Sequence, residues 1–298
     1  MTGTLHGVIA AVPTPVDAGG EPDAARFVAH AAELLDNGCN ALNVLGTTGE
    51  ATSFSIEQRF AVMDAAAKAL PVGRLMVGTG SASLLDAVRL TRHAAERGFA
   101  GALLLPPFYY KPVSDDGILA FVGHVVEATA PSPIPLYLYN FPALSGVAYT
   151  PHLVDVLINR FGNRIAGLKD SSGNETYARE IAALSPDIAV FPSNEANLRF
   201  AGDSGPFAGC ISATVSLNAV DCAAAYVRRD SAALARAVAV RKAFVDLPLI
   251  PGIKAMVAHL RQDPGYAAPL APLVPLSVDQ WSTLLSRYEA TQLQELAL

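Results

Sequence analysis

Charge is scarce in this chain of 298 residues. Asp, Glu, Lys and Arg make up 16%, and 21 basic against 27 acidic side chains leave a formal net charge of −6. A nucleic-acid-binding surface needs a basic patch, and this balance argues against one. Cysteine is nearly absent. Cys39, Cys210 and Cys222 form an odd set without CxxC spacing, which fits buried thiols in a reducing cytoplasm better than a disulfide framework. The six histidines make no HExxH motif and no cluster with metal-ligand spacing, so no zinc site is expected. Long apolar runs are missing too: none approaches the ~18 residues of a membrane span. The opening Met1–His6 has no basic region, and the apolar stretch after it is broken by Pro13 and Pro15, so no signal peptide is expected.

Apolar residues, by contrast, reach 51%, enough to offset chain entropy and argue against disorder. They fall into a rhythm. Short continuous runs begin near His6, Ala41, Leu75, Ala102, Leu136, Ile165, Ile188 and Gly209, each of the kind a strand buried on both faces requires. Between them lie stretches with helical spacing. Phe27, Val28, Ala31, Leu34 and Leu35 are one set, stopped by Gly38, and Ile118, Val122, Val125 and Val126 are another. Ser55–Gln58, Ser83–Asp86 and Ser277–Gln280 have the pattern of capping boxes. Thr150-Pro151 sets a cap before a proline at the first helical position.

Eight strand–helix units in about 225 residues predict a (β/α)8 TIM barrel. A doubly wound open sheet shares the alternation. However, it usually carries a glycine loop after its first strand, where this chain has Val12-Pro13-Thr14-Pro15. More helix follows the eighth unit, at Ala232–Asp246, at Gly252–Arg261 and, after a proline-rich connection over 264–275, from Val278. The expected organisation is a barrel over 1–228 with a C-terminal helical appendage over 229–298 packed on it.

In such a barrel the chemistry stands at the C-terminal ends of the strands. The polar residues there are Gly46-Thr47-Thr48-Gly49-Glu50, Tyr109-Tyr110-Lys111, Tyr139-Asn140, Lys169-Asp170-Ser171-Ser172 and Ser193-Asn194-Glu195. Lys169 directly follows the apolar run Ile165–Leu168, so its stem starts inside the barrel. Imine chemistry needs a neutral amine, and burial favours that form. Taken alone, Lys169 reads more simply as one half of an ion pair with Asp170 or another carboxylate. Likewise Tyr139 alone reads as a core aromatic with a satisfied hydroxyl, Thr47-Thr48 as a tight turn or a carboxylate cradle, and Glu50 as a buried turn-stabilising carboxylate. Lys254 is assigned to the helical tail. Together, an amine, a carboxylate cradle and phenols on one rim suit a 2-oxo acid.

The motifs Gly46-Thr47-Thr48-Gly49-Glu50, Tyr139-Asn140-Phe141-Pro142 and Gly167-Leu168-Lys169-Asp170-Ser171-Ser172-Gly173 resemble the signatures of the dihydrodipicolinate synthase/N-acetylneuraminate lyase family. The resemblance covers nearly the whole chain. It implies a (β/α)8 class I lyase or aldolase, commonly a homotetramer, that binds pyruvate or a related 2-oxo acid as an imine and uses no metal or organic cofactor. It makes Lys169 the Schiff-base lysine and Tyr139 the proton-transfer tyrosine. Thr47 joins a hydroxyl relay, and Thr47 and Thr48 sit in the pyruvate-carboxylate motif. Tyr109, or its neighbour Tyr110, matches a relay tyrosine supplied by a neighbouring subunit. Ile211 matches a position whose backbone lines the pyruvate pocket, and Asn194 and Glu195 lie where sugar-acid members make polar substrate contacts.

The subfamily is mixed. Lysine-pathway synthases carry an arginine for the aldehyde's carboxylate where this chain has Leu144, and the run Ala143-Leu144-Ser145-Gly146 resembles sialic-acid lyases instead. A leucine offers no bidentate clamp. Poor condensation of pyruvate with aspartate semialdehyde is therefore expected, unless another cation such as Lys111 fills the role. The expected substrate is a 2-oxo-3-deoxy sugar acid or a 4-hydroxy-2-oxo acid. The alternatives are a 4-hydroxy-tetrahydrodipicolinate synthase, an N-acetylneuraminate lyase and a non-catalytic 2-oxo-acid-binding protein.

Overall fold

A computed structural model describes residues 5–293. Met1–Thr4, part of the stretch read for a signal peptide, and residues 294–298 of the expected appendage lie outside them. The apolar runs become eight parallel strands: β1 (Gly7–Ala11), β2 (Ala41–Val44), β3 (Leu75–Gly78), β4 (Gly101–Leu104), β5 (Leu136–Asn140), β6 (Ile165–Asp170), β7 (Ala189–Pro192) and β8 (Gly209–Ser212). Consecutive strands pair from β1 through β7, and β1 also pairs with β8. The ring closes where the Ala208 N–H donates to the Val190 carbonyl at 2.9 Å. The fold is a (β/α)8 TIM barrel.

Helices α1 (Ala24–Asp36), α2 (Ile56–Ala69), α3 (Leu84–Glu96), α4 (Asp115–Ala128), α5 (Pro142–Ser145), α6 (Pro151–Phe161), α7 (Glu175–Ala182) and α8 (Val215–Val227) surround it. Their starts follow the local chemistry. Ser55 and Gln58 exchange both bonds of a capping box, and so do Ser277 and Gln280. The Ser83 hydroxyl accepts from Asp86 N–H in one direction only. The Thr150 hydroxyl caps α6, whose first residue is Pro151. The crossover from β7 to β8 departs from the regular pattern. It contains two 3-10 turns, Glu195–Phe200 and Gly202–Ser204, in place of an α-helix.

Two apolar cores result. The barrel interior holds alternate side chains of the strands, among them Ile9, Met76, Leu103, Tyr137, Tyr139, Phe191 and Ile211. A larger core lies between the strands and the surrounding helices. The helices α9 (Ser231–Lys242), α10 (Leu249–Arg261) and α11 (Val278–Leu293) share a separate cluster around Phe244, Ile253, Met256 and Leu284, joined to the barrel through Ala213. From α10, Lys254 reaches through this layer to the turn after β2, which places it against the site described next.

Candidate active site

Strand alternation decides what faces inward. On β5, Tyr137 and Tyr139 both belong to the interior cluster, two residues and one layer apart. On β6, Gly167 lies against the Tyr137 ring. A Cβ there would stand 2.6 Å from that ring and 2.4 Å from the Ala189 carbonyl oxygen, so no side chain fits. Lys169, two residues on, pairs in register with Tyr139 on one side and Phe191 on the other. It is 4% exposed, and its Nζ lies 4.4 Å from the centre of the Tyr139 ring. The Tyr139 phenol and the Thr47 hydroxyl are 3.1 Å apart. Amine, phenol and threonine hydroxyl thus form one contiguous set at the C-terminal end of the barrel.

The simpler reading of Lys169, an ion pair with its neighbour, does not hold. Asp170 lies one residue on, so alternation turns it to the opposite face. Its carboxylate accepts from Asn140 Nδ2 at 2.8 Å and from the Ser172 backbone N–H and hydroxyl at 3.1 and 2.9 Å. Burial raises the Asp170 pKa, and these hydrogen bonds pull the other way.

The turn that carries Thr47 and Thr48 is held from outside the barrel. Leu45 and Glu50, at its two ends, have left-handed backbone conformations with φ of 51° and 54°. The fully buried Lys254 ammonium donates to the Glu50 carboxylate and to the Thr14 carbonyl. The other Glu50 oxygen accepts from the Leu270 N–H at 2.7 Å. Burial lowers the Lys254 pKa while Glu50 opposes that shift. Glu50 is the turn-stabilising carboxylate, and the lysine assigned to the helical tail is its partner.

The remaining residues separate. Thr48 is buried in the turn, and Ile211 is buried on the interior face of β8. Asn194 uses its side-chain oxygen to cap Ala196 N–H. Glu195 is fully buried, accepting from the Ser212 hydroxyl at 2.6 Å and from the Thr214 hydroxyl, with Arg241 at 3.4 Å. Its carboxylate thus has an internal set of partners. Tyr109 and Tyr110 stand 74% and 79% exposed in edge-to-face contact. Lys111 is exposed and gives its ammonium to the Phe108 carbonyl at 2.6 Å.

A cavity of about 290 Å³ opens beside this set, lined by Thr47, Tyr139, Phe108, Phe141 and Leu144 among others. It also contains a residue that sequence reasoning passed over, Arg59 of α2, which is only 5% exposed. A signal was present: Arg59, Val62, Met63 and Ala66 fall at i, i+3, i+4 and i+7, the buried face of α2. Leucine at 144 therefore does not leave the cavity without a cation.

The chain matches the model of the Dihydrodipicolinate synthetase family over residues 4–280. It is 31% identical over 289 residues to an uncharacterised DapA-like lyase of Chloroflexus aurantiacus, covering 95% of this chain and 96% of that protein. The dihydrodipicolinate synthase of Agrobacterium tumefaciens superposes with a TM-score of 0.88 at 28% identity, covering 96% of this chain and 99% of that one. A 2-keto-3-deoxygluconate aldolase of Sulfolobus sulfataricus, in complex with D-KDPG, shares the fold with a TM-score of 0.84 at 21% identity and 98% coverage of both chains. The barrel, its three strand-end motifs and these matches establish that the chain belongs to the dihydrodipicolinate synthetase family.

Proposed function

We propose that this protein is a class I carbon–carbon lyase that holds pyruvate as an imine on Lys169 and cleaves or forms a hydroxylated 2-oxo acid. The observation that carries the reading is the contiguity of Lys169 Nζ, the Tyr139 ring and phenol, and the Thr47 hydroxyl. Lys169 attacks the C2 ketone and water leaves. Tyr139 takes the proton of the C4 hydroxyl, the C3–C4 bond breaks, and its electron pair moves into the imine to give the enamine. Protonation at C3 and hydrolysis release pyruvate and return the amine. Thr47 relays the proton held by Tyr139, Thr48 and the turn's backbone N–H groups cradle the carboxylate, and the Ile211 backbone lines the pyruvate end. Leu144 and Asn194 are assigned to the substrate tail.

Tyr109, with Tyr110 as its substitute, completes the relay of a neighbouring subunit in a homotetramer, and the exposure of this aromatic pair supports that assignment. The buried, unpaired thiols of Cys39, Cys210 and Cys222 support a cytoplasmic location. No helix among the described residues is long and apolar enough to cross a membrane. The proposed division is a barrel over 1–228 and a C-terminal helical appendage over 229–298, a reading supported by the separate apolar cluster of α9, α10 and α11. The test is a panel of 2-oxo-3-deoxy and 4-hydroxy-2-oxo acids assayed for pyruvate release. At least one is cleaved by the wild type and none by Lys169→Arg, whose guanidinium stays protonated. Pyruvate release that survives in Lys169→Arg would refute the proposal.

A further inference from the structure

Arg59 is the one charged side chain among those lining the strand-end cavity. Both of its hydrogen bonds leave from Nη2, to the Gly78 carbonyl at 2.9 Å and the Gly80 carbonyl at 3.2 Å. Its Nε is buried and has no hydrogen-bond partner among the described residues. No carboxylate among the described residues is hydrogen-bonded to it; Asp86 acts on it through its charge. Burial lowers its pKa to about 10, so the guanidinium keeps its charge at neutral pH.

A tie between α2 and the end of β3 does not require a cation. Two carbonyl acceptors are served equally well by a neutral donor, and a buried guanidinium without an anion is costly. The same cavity is lined by the proton-transfer pair Thr47 and Tyr139 and by Leu144, which is 65% exposed. A substrate held at Lys169 and running along the cavity therefore has Arg59 in its wall and an apolar side chain at the mouth.

We propose that Arg59 is the subsite for an acid group at the far end of the substrate, so that the 2-oxo acid handled here carries a second carboxylate. This rests on the imine reading above and deepens it. The planar guanidinium, anchored through one nitrogen to the Gly78 and Gly80 carbonyls, is held in place to meet that carboxylate from the cavity wall.

The test separates the two claims by borohydride trapping of unreactive 2-oxo acids at Lys169. 2-Oxoglutarate and 2-oxoadipate are compared with 2-oxopentanoate and 2-oxohexanoate, their analogues without the distal carboxylate. Pyruvate serves as the reference ligand. The wild type traps at least one of the two diacids at a concentration roughly 10- to 100-fold lower than its monoacid partner, the range of a charge-assisted hydrogen bond. Arg59→Met abolishes the preference, read within each protein as the ratio of diacid to monoacid half-trapping, and Arg59→Lys retains part of it. If Arg59→Met fails to fold, the Lys variant alone decides, because a reduced ratio is expected from it. A wild type that traps pyruvate without favouring either diacid overturns the Arg59 subsite alone. An absence of any adduct with pyruvate overturns the imine reading instead.

Discussion

At the scale of single residues, the site depends on groups that share one small volume and differ in what they can do there. The Tyr139 ring faces the Lys169 ammonium at 4.4 Å, a cation–π distance, while its phenol meets Thr47. Removing only the hydroxyl preserves the ring, its packing and its face toward the lysine. Tyr139→Phe is therefore expected to lower turnover by about 10²–10⁴ and to leave the melting temperature nearly unchanged. Steady-state kinetics beside a thermal melt check this, and near-normal turnover would reduce the phenol to a packing role. Lys169 and Tyr139 were legible in the sequence because each follows an apolar run, and alternation along a strand fixes which way it points. Arg59 was not legible, because a lone arginine in an amphipathic stretch reads as solvated until the helix face it occupies is known. The partners of Glu195 were hidden for a related reason: Ser212 and Thr214 lie 17 and 19 residues away and only the fold brings them near.

At the scale of elements, the turn from Leu45 to Glu50 connects Thr47 to the helices outside the barrel. Its two left-handed residues are held because Glu50 is fixed by Lys254 and Leu270. The pair is fully buried on both sides. Lys254→Met leaves the Glu50 carboxylate without its cation in a water-free place, a loss of about 3–5 kcal/mol. The expected outcome in denaturant unfolding is a stability lower by that amount, with turnover reduced because Thr47 rides on the same turn. The double variant Glu50→Gln, Lys254→Met recovers part of the stability, since it removes both charges. A single variant as stable as the wild type would contradict this account of the turn. Sequence reasoning had read Glu50 correctly as a turn carboxylate and Lys254 only as part of the tail. At 204 positions apart in the chain, nothing local joined the two. The 3-10 crossover after β7 was hidden for a similar reason, since its residues keep enough apolar character to pass for a helix.

At the scale of the whole molecule, the strand rhythm sufficed for the barrel because all eight strands are buried on both faces and leave continuous apolar runs. The helical layer outside it adds a pH dependence. His30 of α1 is buried, and its pKa is lowered to about 3, chiefly by burial and then by the charge of Arg261. The unfolded chain takes up a proton at this histidine below about pH 6.5, and the folded chain does not. The stability it contributes is present above about pH 6.5 and is lost as pH falls toward 3, by up to about 1.4 kcal/mol per pH unit. His30→Gln is expected to flatten that part of the profile, read as the difference in unfolding free energy between wild type and variant from about pH 7 down to pH 5. Equal slopes in the two proteins would contradict it.

The measurement that bears most directly on the central claim is covalent capture. The protein is incubated with pyruvate and borohydride, digested, and the adduct located by mass spectrometry. The imine is expected at the strand-end amine beside the Tyr139 phenol, so reduction leaves a stable secondary amine on Lys169 and on no other lysine. An adduct on a different lysine, or none at saturating pyruvate, would contradict the account.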